Sequence, residues 1–223
     1  MKIDTLFLGF VIIVLFGFIA VDRLMVARFE PENHVDVIVD GYRSSRAELP
    51  LVVVGAAPYS DAYTARVHAL GDARVRFLGG LWDQEQLDQL YANARTYLHG
   101  HSVGGTNPSL LRAIGAGAAT IAYDVRFNRE VLGGDGRYFR SPAQVARLLE
   151  VAEEDADAMA ACGAALRARA GAYDWDRVAD AYEDLCRRLA ARETVRAPSS
   201  GRRVRDRVPS SSARPGFNRT ETI

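Results

Sequence analysis

The chain has 223 residues, enough for one good-sized domain with or without appendages. It carries 28 basic and 28 acidic side chains, so its formal net charge is zero and its composition does not indicate a nucleic-acid-binding protein. The two cysteines, Cys162 and Cys186, have neither metal nor redox spacing, and no Cys/His cluster is visible, which argues against a structural zinc site. Two plain thiols suit a reducing compartment.

The N-terminal segment 1–22 contains an uncharged, almost wholly apolar run at 5–21, about as long as the shortest membrane-spanning helices. We expect a transmembrane helix here that anchors a domain facing the cytoplasm, in keeping with the few basic residues near the run. A signal peptide fits less well, because only Lys2 stands before the run, Asp4 offsets it and no small-x-small cleavage site follows. A third interpretation is a truncated or poorly joined gene start in a cytoplasmic protein.

Between residues 23 and 191, apolar runs alternate with helical patterns. In chain order the pattern predicts a strand at 23–29, a helix at 34–45, a strand at 49–55, a helix at 59–70, a strand at 74–78, a helix after Asp83, a strand at 96–99, a helix from Pro108, a strand at 119–123, a helix at 128–132, a strand at 136–139 and helices at 142–153, 157–170 and 175–189. Strands separated by helices indicate βαβ units and a parallel sheet. The fold class is therefore α/β, a doubly wound Rossmann-like domain whose ligands bind beyond the carboxyl ends of the strands.

The C-terminal tail, residues 192–223, is rich in Arg, Ser and Pro with few apolar residues. Such a segment cannot bury enough surface to offset its ordering entropy, so we expect a disordered basic tail. Its arginines offer contacts to anionic lipid or nucleic acid, but a solvated tail without function is the simpler interpretation.

The most informative segment runs from His99 to Arg112. A predicted strand is followed by the pair Gly104 and Gly105, which allows the backbone to approach an anion without a Cβ in the way. Thr106 or Asn107 then offers an N-cap and Pro108 occupies the first helical position, where its missing N–H costs nothing. The first turn of such a helix favours phosphate. The alternative is an ordinary loop with a capped helix.

Other candidate binding residues follow neighbouring predicted strands. Arg28 is placed to reach an anion at the sheet edge, or else to pair with Glu30 or Glu32. Gly55 allows a ligand to lie against the backbone, or simply makes a turn. His101, like His99, is able to donate to phosphate or a sugar hydroxyl, or is merely solvated. The chain has no G-x-G-x-x-G fingerprint after the first strand, no P-loop and no G-x-S-x-G elbow.

Taken together, these segments resemble the C-terminal half of GT-B glycosyltransferases, the group called glycosyl transferases group one, and most closely its bacterial rhamnosyltransferase-like members. The resemblance covers about residues 23–188, and its most specific part is G-H-S-V-G-G-T-N-P-S-L-L at 100–111. The remaining segments that carry it are V-A-R-F-E-P-E-N at 26–33, L-V-V-V-G at 51–55, R-F-L-G at 76–79, I-A-Y-D at 121–124, F-N-R-E at 127–130 and Y-D-W at 173–175.

The resemblance implies that this half binds the donor, a nucleotide-diphosphate sugar, with no metal and no further cofactor. It implies that the loop from Gly104 to Asn107 lines the diphosphate and that Arg28 neutralises it, so that fixed groups meet the charge of the leaving diphosphate. The catalytic residues stay unassigned. The predicted donor-binding residues are Arg28, Gly55, His101, Gly104, Gly105, Thr106, Asn107 and Arg112.

The chain also departs from the family. Many relatives have a Glu-x7-Glu pattern whose second Glu binds the ribose, and this chain has Gly104 and Arg112 at those positions. A lysine that often accompanies the arginine of the phosphate clamp is replaced by Asn33. The acceptor-binding half is absent from these residues, so we expect either a separate acceptor-binding chain or the remnant of a longer enzyme.

Three functions remain open from the sequence. The first is a glycosyltransferase donor domain that transfers a sugar to a glycan or polysaccharide acceptor. The second, favoured by Asn33 and Arg112, is a non-catalytic protein that binds nucleotide sugars. The third is a nucleotide-sugar epimerase or isomerase with the same layout.

Overall fold

The computed structural model describes residues 21–57 and 59–192. Within them, six strands form one sheet in the order β3-β2-β1-β4-β5-β6, and every neighbouring pair is parallel. The strands are β1 (Val21–Val26), β2 (Leu51–Val54), β3 (Val75–Gly79), β4 (Ala94–His99), β5 (Ala119–Tyr123) and β6 (Arg137–Phe139). The predicted α/β class and parallel sheet are confirmed.

Helices connect these strands and continue after the last one. They are α1 (Val35–Ser44), α2 (Asp61–Leu70), α3 (Gln84–Asn93), α4 (Pro108–Ala116), α5 (Arg126–Leu132), α6 (Pro142–Glu154), α7 (Ala156–Ala170) and α8 (Trp175–Ala190). A short 3₁₀ turn, Pro31–Asn33, precedes α1. The predicted starts of α4 and of α3 are confirmed, since Pro108 begins the former and the side chain of Asp83 caps the latter by accepting from the Gln86 N–H.

Helices cover both faces of the sheet, which is why β2 is apolar and buried along its whole length. On β1, Leu24 and Met25 point to opposite faces and both are completely buried. One face packs against α1, α2 and α6, and the other packs against α3, α4 and α7. The strand order reverses between β1 and β4, so the loops that leave these two strands separate and open a crevice at the carboxyl edge of the sheet.

The predicted bounds of the first strand are wrong at both ends. β1 begins at Val21, which pairs with Ala94, and it ends at Val26 rather than at residue 29. Phe29 leaves the sheet because its ring packs into the core, 6.3 Å from the ring of Phe77. The predicted boundary at 23 thus falls inside β1 rather than at its first described residue.

Two predictions fall largely outside the described residues. Apart from Val21, the apolar run 5–21 is outside them, and so is the C-terminal tail beyond Arg192. Among the helices that the structure describes, none combines the length and apolar character needed to cross a membrane. The chain divides into a compact unit ending at Val178 and a second unit beginning at Ala179, whose described part is the remainder of α8 and the two residues after it.

Candidate functional site

A cavity of about 150 Å³ lies at the carboxyl edge of the sheet where the strand order reverses. Its walls come from the loop after β1, from the end of β4 and from the start of α4. The lining residues are Val26, Ala27, Arg28, Asn33, His99, Gly100, His101, Asn107 and Ser109. This is the place that a doubly wound sheet offers to a ligand.

The loop from β4 to α4 is fixed against the 3₁₀ turn on the other side of the cavity. Ser102 donates both its backbone N–H and its hydroxyl to the carbonyl oxygen of Glu32, at 3.0 and 2.9 Å. A Cβ at Gly100 would overlap the carbonyl oxygen of Asn33, so only glycine permits this close approach. The two walls of the cavity are therefore held together by backbone contacts.

The glycine pair of this loop is open. Gly104 has a φ of +106°, a conformation that favours glycine, whereas a Cβ at Gly105 would meet no atom within 4 Å. Asn107 caps α4 because its side-chain oxygen accepts from the Ser109 N–H at 2.8 Å. The capped helix start thus lies beside an unobstructed turn, which is a suitable arrangement for an anion.

A buried hydrogen-bonded pair forms part of the wall. The side-chain amide nitrogen of Asn33 donates to the carbonyl oxygen of Arg28 at 2.9 Å. Because that carbonyl oxygen can only accept, the amide oxygen of Asn33 faces His101, whose Nδ1 lies 2.9 Å away and must be the donor. His101 therefore has its proton on Nδ1, and its Nε2 faces the glycine pair, 3.5 Å from where a Cβ of Gly104 would lie.

Burial favours the neutral form of both histidines of the site. Burial, together with the nearby positive charge of Arg28, lowers the pKa of His101, and the carboxylate of Glu32 partly offsets this shift. Burial lowers the pKa of His99 to about 3, and its Nε2 is buried without a hydrogen-bond partner among the described residues. Behind them, the buried Asn128 donates to the carbonyl oxygen of His101 at 2.9 Å.

Arg28 is the cation at the rim of the cavity. Its side chain is 69% exposed and lies 3.2 Å from the carboxylate of Glu30, so the predicted alternative of an ion pair with Glu30 is what the structure contains. The guanidinium also donates to the hydroxyl of Tyr59 at 3.3 Å. An ion pair whose guanidinium is this exposed contributes little to stability, and the guanidinium is free to turn to a stronger anion.

Two predicted site residues do not join this group. At Gly55 the carbonyl oxygen of Ala27 occupies the space that a Cβ would need, so the fold itself requires this glycine. Arg112 lines a different cavity, of about 450 Å³, together with Tyr173 and Trp175. The structure thus brings Arg28, His101 and Asn107 together on one cavity, with Gly104, Gly105 and Thr106 on the loop between the last two.

Sequence reasoning did not assign a binding role to Asn33, Gly100 or Ser109, which the structure places in the cavity wall. From the sequence, Asn33 is seen only as the residue that replaces a lysine of the phosphate clamp. Its contact with His101 joins residues 68 positions apart, so no local spacing indicates it.

The fold and the site define a Rossmann-like α/β domain with a glycine-containing loop and a capped helix start at its switch point. The family described as glycosyl transferases group 1 matches residues 22–169, well over half of the chain. The chain belongs to this family, and the resemblance stated from the sequence is confirmed at that level.

Individual relatives agree with this assignment. The chain is 28% identical over 117 residues to the UDP-N-acetylglucosamine–peptide N-acetylglucosaminyltransferase GtfA subunit of Streptococcus gordonii, an alignment covering 51% of this chain and 22% of that protein. Sucrose-phosphate synthase from Thermosynechococcus elongatus superposes with a TM-score of 0.70 at 21% identity, covering 82% of this chain and 49% of the synthase. HepE of Anabaena, solved in complex with UDP-glucose, superposes with a TM-score of 0.67 at 16% identity, covering 85% of this chain and 54% of HepE. The chain thus spans about half the length of these solved relatives and less of the curated one.

Proposed function

We propose that this domain binds a nucleotide-diphosphate sugar and acts as the donor half of a glycosyltransferase. The observation that carries the proposal is the open pair Gly104 and Gly105, followed by the capped start of α4, at the edge of a cavity beside Arg28. Backbone N–H groups, a helix N-terminus and one guanidinium are the groups that bind a diphosphate.

The chemistry expected of these residues is stabilisation of the leaving group. As the bond between the sugar and the diphosphate breaks, negative charge grows on the diphosphate oxygens. Groups fixed in advance, such as the backbone N–H groups of Thr106 and Asn107, meet that charge without reorganising, while Arg28 turns from Glu30 to neutralise it. His101 lines the same cavity, with its Nε2 facing Gly104.

A uridine nucleotide is the first donor to test. HepE of Anabaena was solved with UDP-glucose, and the name of the GtfA subunit specifies UDP-N-acetylglucosamine. The sequence resemblance to rhamnosyltransferases adds dTDP-rhamnose to the panel.

We propose that the acceptor, a glycan or polysaccharide, is bound by a separate acceptor-binding chain or by a further part of a longer protein. The chain spans about half of its solved relatives, and the streptococcal relative is named as a subunit. Attachment to a membrane through the apolar run 5–21, with the domain facing the cytoplasm, stays a prediction from the sequence.

Calorimetry tests donor binding directly. The chain is titrated with UDP-glucose, UDP-N-acetylglucosamine, dTDP-rhamnose and GDP-mannose, and we expect heat with at least one of them. Replacement of Gly105 by Val should abolish that heat. Absence of binding by all four compounds would contradict the proposal.

A non-catalytic nucleotide-sugar-binding protein is the second candidate. It is favoured by Arg112, which stands at the position where the sequence resemblance implies a ribose-binding Glu. The guanidinium of Arg112 forms an ion pair with Asp88 instead. Sugar transfer to a glycan acceptor, assayed with the chain alone and with candidate partner chains, separates the two functions. Binding without transfer in any combination would favour the second.

A further inference from the structure

Asn33 lies on the cavity wall but has both ends of its amide engaged inside the protein. The side chain is 94% buried, since only 6% is exposed, and it connects the carbonyl oxygen of Arg28 to the imidazole of His101. These contacts hold the amide in one orientation. The role that remains for Asn33 is to position another residue.

The residue that it positions is His101. With Nδ1 donating to Asn33, the ring presents Nε2 to the loop, and no described residue hydrogen-bonds to that nitrogen. The edge of the ring of Phe127, 6.0 Å away between centroids, packs against the imidazole. A ring held at one nitrogen and free at the other is prepared to bind a ligand.

The geometry points to His101 Nε2 as a second diphosphate-binding group on the cavity that Arg28 also lines, with Asn33 as its positioning residue, so that donor binding takes up a proton. This inference rests on the proposed function, because it specifies how the same site holds the diphosphate. A neutral Nε2 presents a lone pair to a phosphate oxygen, whereas a protonated Nε2 donates a hydrogen bond and adds a positive charge.

The groups around His101 set the direction of the effect. Arg28 from the loop after β1 and Glu32 from the 3₁₀ turn are the charged groups whose fields reach it, and His99 at the end of β4 is its titratable neighbour, 5.9 Å away between ring centroids. Burial and Arg28 lower the pKa of His101 in the free protein, while His99 stays neutral because its own pKa is about 3. A bound diphosphate adds negative charge beside Nε2 and raises the pKa of His101.

The sign of the pH dependence follows. Between the lowered pKa of the free protein and the raised pKa of the complex, binding takes up a proton, so affinity increases as the pH falls through this window. Each unit of pKa shift on binding corresponds to about a tenfold gain in affinity. Below the pKa of the free protein the affinity levels off.

The experiment is calorimetry of the full chain with UDP-glucose, or with whichever of the four nucleotide sugars binds most tightly, from pH 5.5 to 8. A nucleotide sugar is suitable because its diphosphate is a diester whose charge does not change in this range. Titrations in two buffers with different ionisation enthalpies give the number of protons taken up. We expect uptake approaching one proton per ligand within the window, and affinity that rises by tenfold or more on acidification.

Two histidine variants show which side chain takes up the proton. His101→Gln should bind more weakly at low pH and take up no proton. His68→Gln, which changes an exposed histidine on α2, should behave like the parent chain. Binding with constant affinity and no proton uptake would overturn this inference alone, whereas no binding at any pH would overturn the proposed function with it.

Asn33 is tested by Asn33→Asp, which places a carboxylate beside Nδ1 and should shift the window to higher pH. Nitrogen NMR of the imidazoles provides an independent measurement on the unchanged protein, in which the four histidines are few enough to assign by single substitutions. We expect His101 in the Nδ1–H form, with a pKa that rises when the nucleotide sugar is added. An Nε2–H form, or a pKa that saturating ligand does not move, would overturn the inference.

Discussion

The guanidinium of Arg112 on α4 lies 3.2 Å from the carboxylate of Asp88 on α3. It also lies over the ring of Tyr91, 5.8 Å from the ring centre. The two contacts hold Arg112 against α3, and the cavity it lines is separate from the one beside Arg28. At the position where the sequence resemblance implies a ribose-binding Glu, the structure has an ion pair between two helices.

Arg112→Ala should have small effects. Both partners of the ion pair are partly exposed, so the free energy of unfolding should change by less than about 1 kcal/mol. Because the side chain is engaged with Asp88, affinity for a nucleotide sugar should stay within about threefold of the parent value. Urea unfolding and calorimetry measure the two quantities, and a loss of affinity above tenfold would mean that Arg112 contacts the donor.

Gly105→Val tests the open turn without disturbing the fold. A side chain at this position meets no protein atom within 4 Å, so we expect nearly unchanged stability. If a diphosphate lies against this backbone, the valine excludes it and affinity falls by at least about tenfold, equivalent to about 1.4 kcal/mol. Gly134→Val is the matched control, because its Cβ is equally unobstructed and the residue lies in the turn before β6. Equal affinities for the two variants would contradict the assignment.

Arg28→Ala should weaken binding with little effect on folding, since the Arg28 side chain is 69% exposed. We expect a loss of about tenfold or more, because a charge-assisted hydrogen bond to phosphate is removed, and the loss should shrink in high salt. Arg46→Ala removes an arginine that is 84% exposed and pairs with Glu150, and it serves as the control. Calorimetry at two salt concentrations is the measurement. A loss of similar size in both variants would show only a general effect of net charge.

Glu153→Gln tests the principal buried ion pair of the sheet. Arg23 on β1 is 2% exposed and lies 2.5 Å from Glu153, which also accepts from the backbone N–H of Leu49 at 2.7 Å. Although burial alone would raise it, these hydrogen bonds hold the pKa of Glu153 below its ordinary value. Replacement leaves a buried guanidinium uncompensated and should cost about 3 kcal/mol at pH 7.

The loss of stability in Glu153→Gln should depend on pH in one direction. A carboxylate with a lowered pKa in the folded state contributes stability above the pKa of the unfolded chain, and that contribution is lost as the pH falls through the folded pKa. The difference between parent and variant in urea unfolding should therefore narrow below about pH 4. Glu154→Gln, at the exposed neighbouring position, should change stability little at any pH. A difference that is constant with pH would contradict the account.

Much of the fold is visible in the sequence because its local signals agree with one another. β5 has its predicted bounds, since an apolar run lies between a helix-ending glycine and a polar loop. α4 ends where a glycine allows the left-handed conformation common after helices, with Gly117 at a φ of +88°. The predicted end of β1 is wrong because an apolar residue such as Phe29 fits the pattern of a strand. In the structure, Phe29 lies beyond the strand and is buried there.

The site was only partly visible for a different reason. The loop from Gly104 to Asn107 carries its own signature, so its position next to α4 was predictable. The engagement of Arg112 with Asp88 and of Asn33 with His101 depends on which elements pack together, which residue spacing does not reveal. Gly55 was predicted as a ligand contact or a simple turn, but a glycine is needed there because the carbonyl oxygen of Ala27 occupies the space of a Cβ.

The most direct test of the account is a crystal of the chain soaked with UDP. We expect density for the diphosphate against the backbone of Gly105 to Ser109, with the guanidinium of Arg28 turned toward it. UDP bound elsewhere on the domain, with this loop unoccupied, would contradict it.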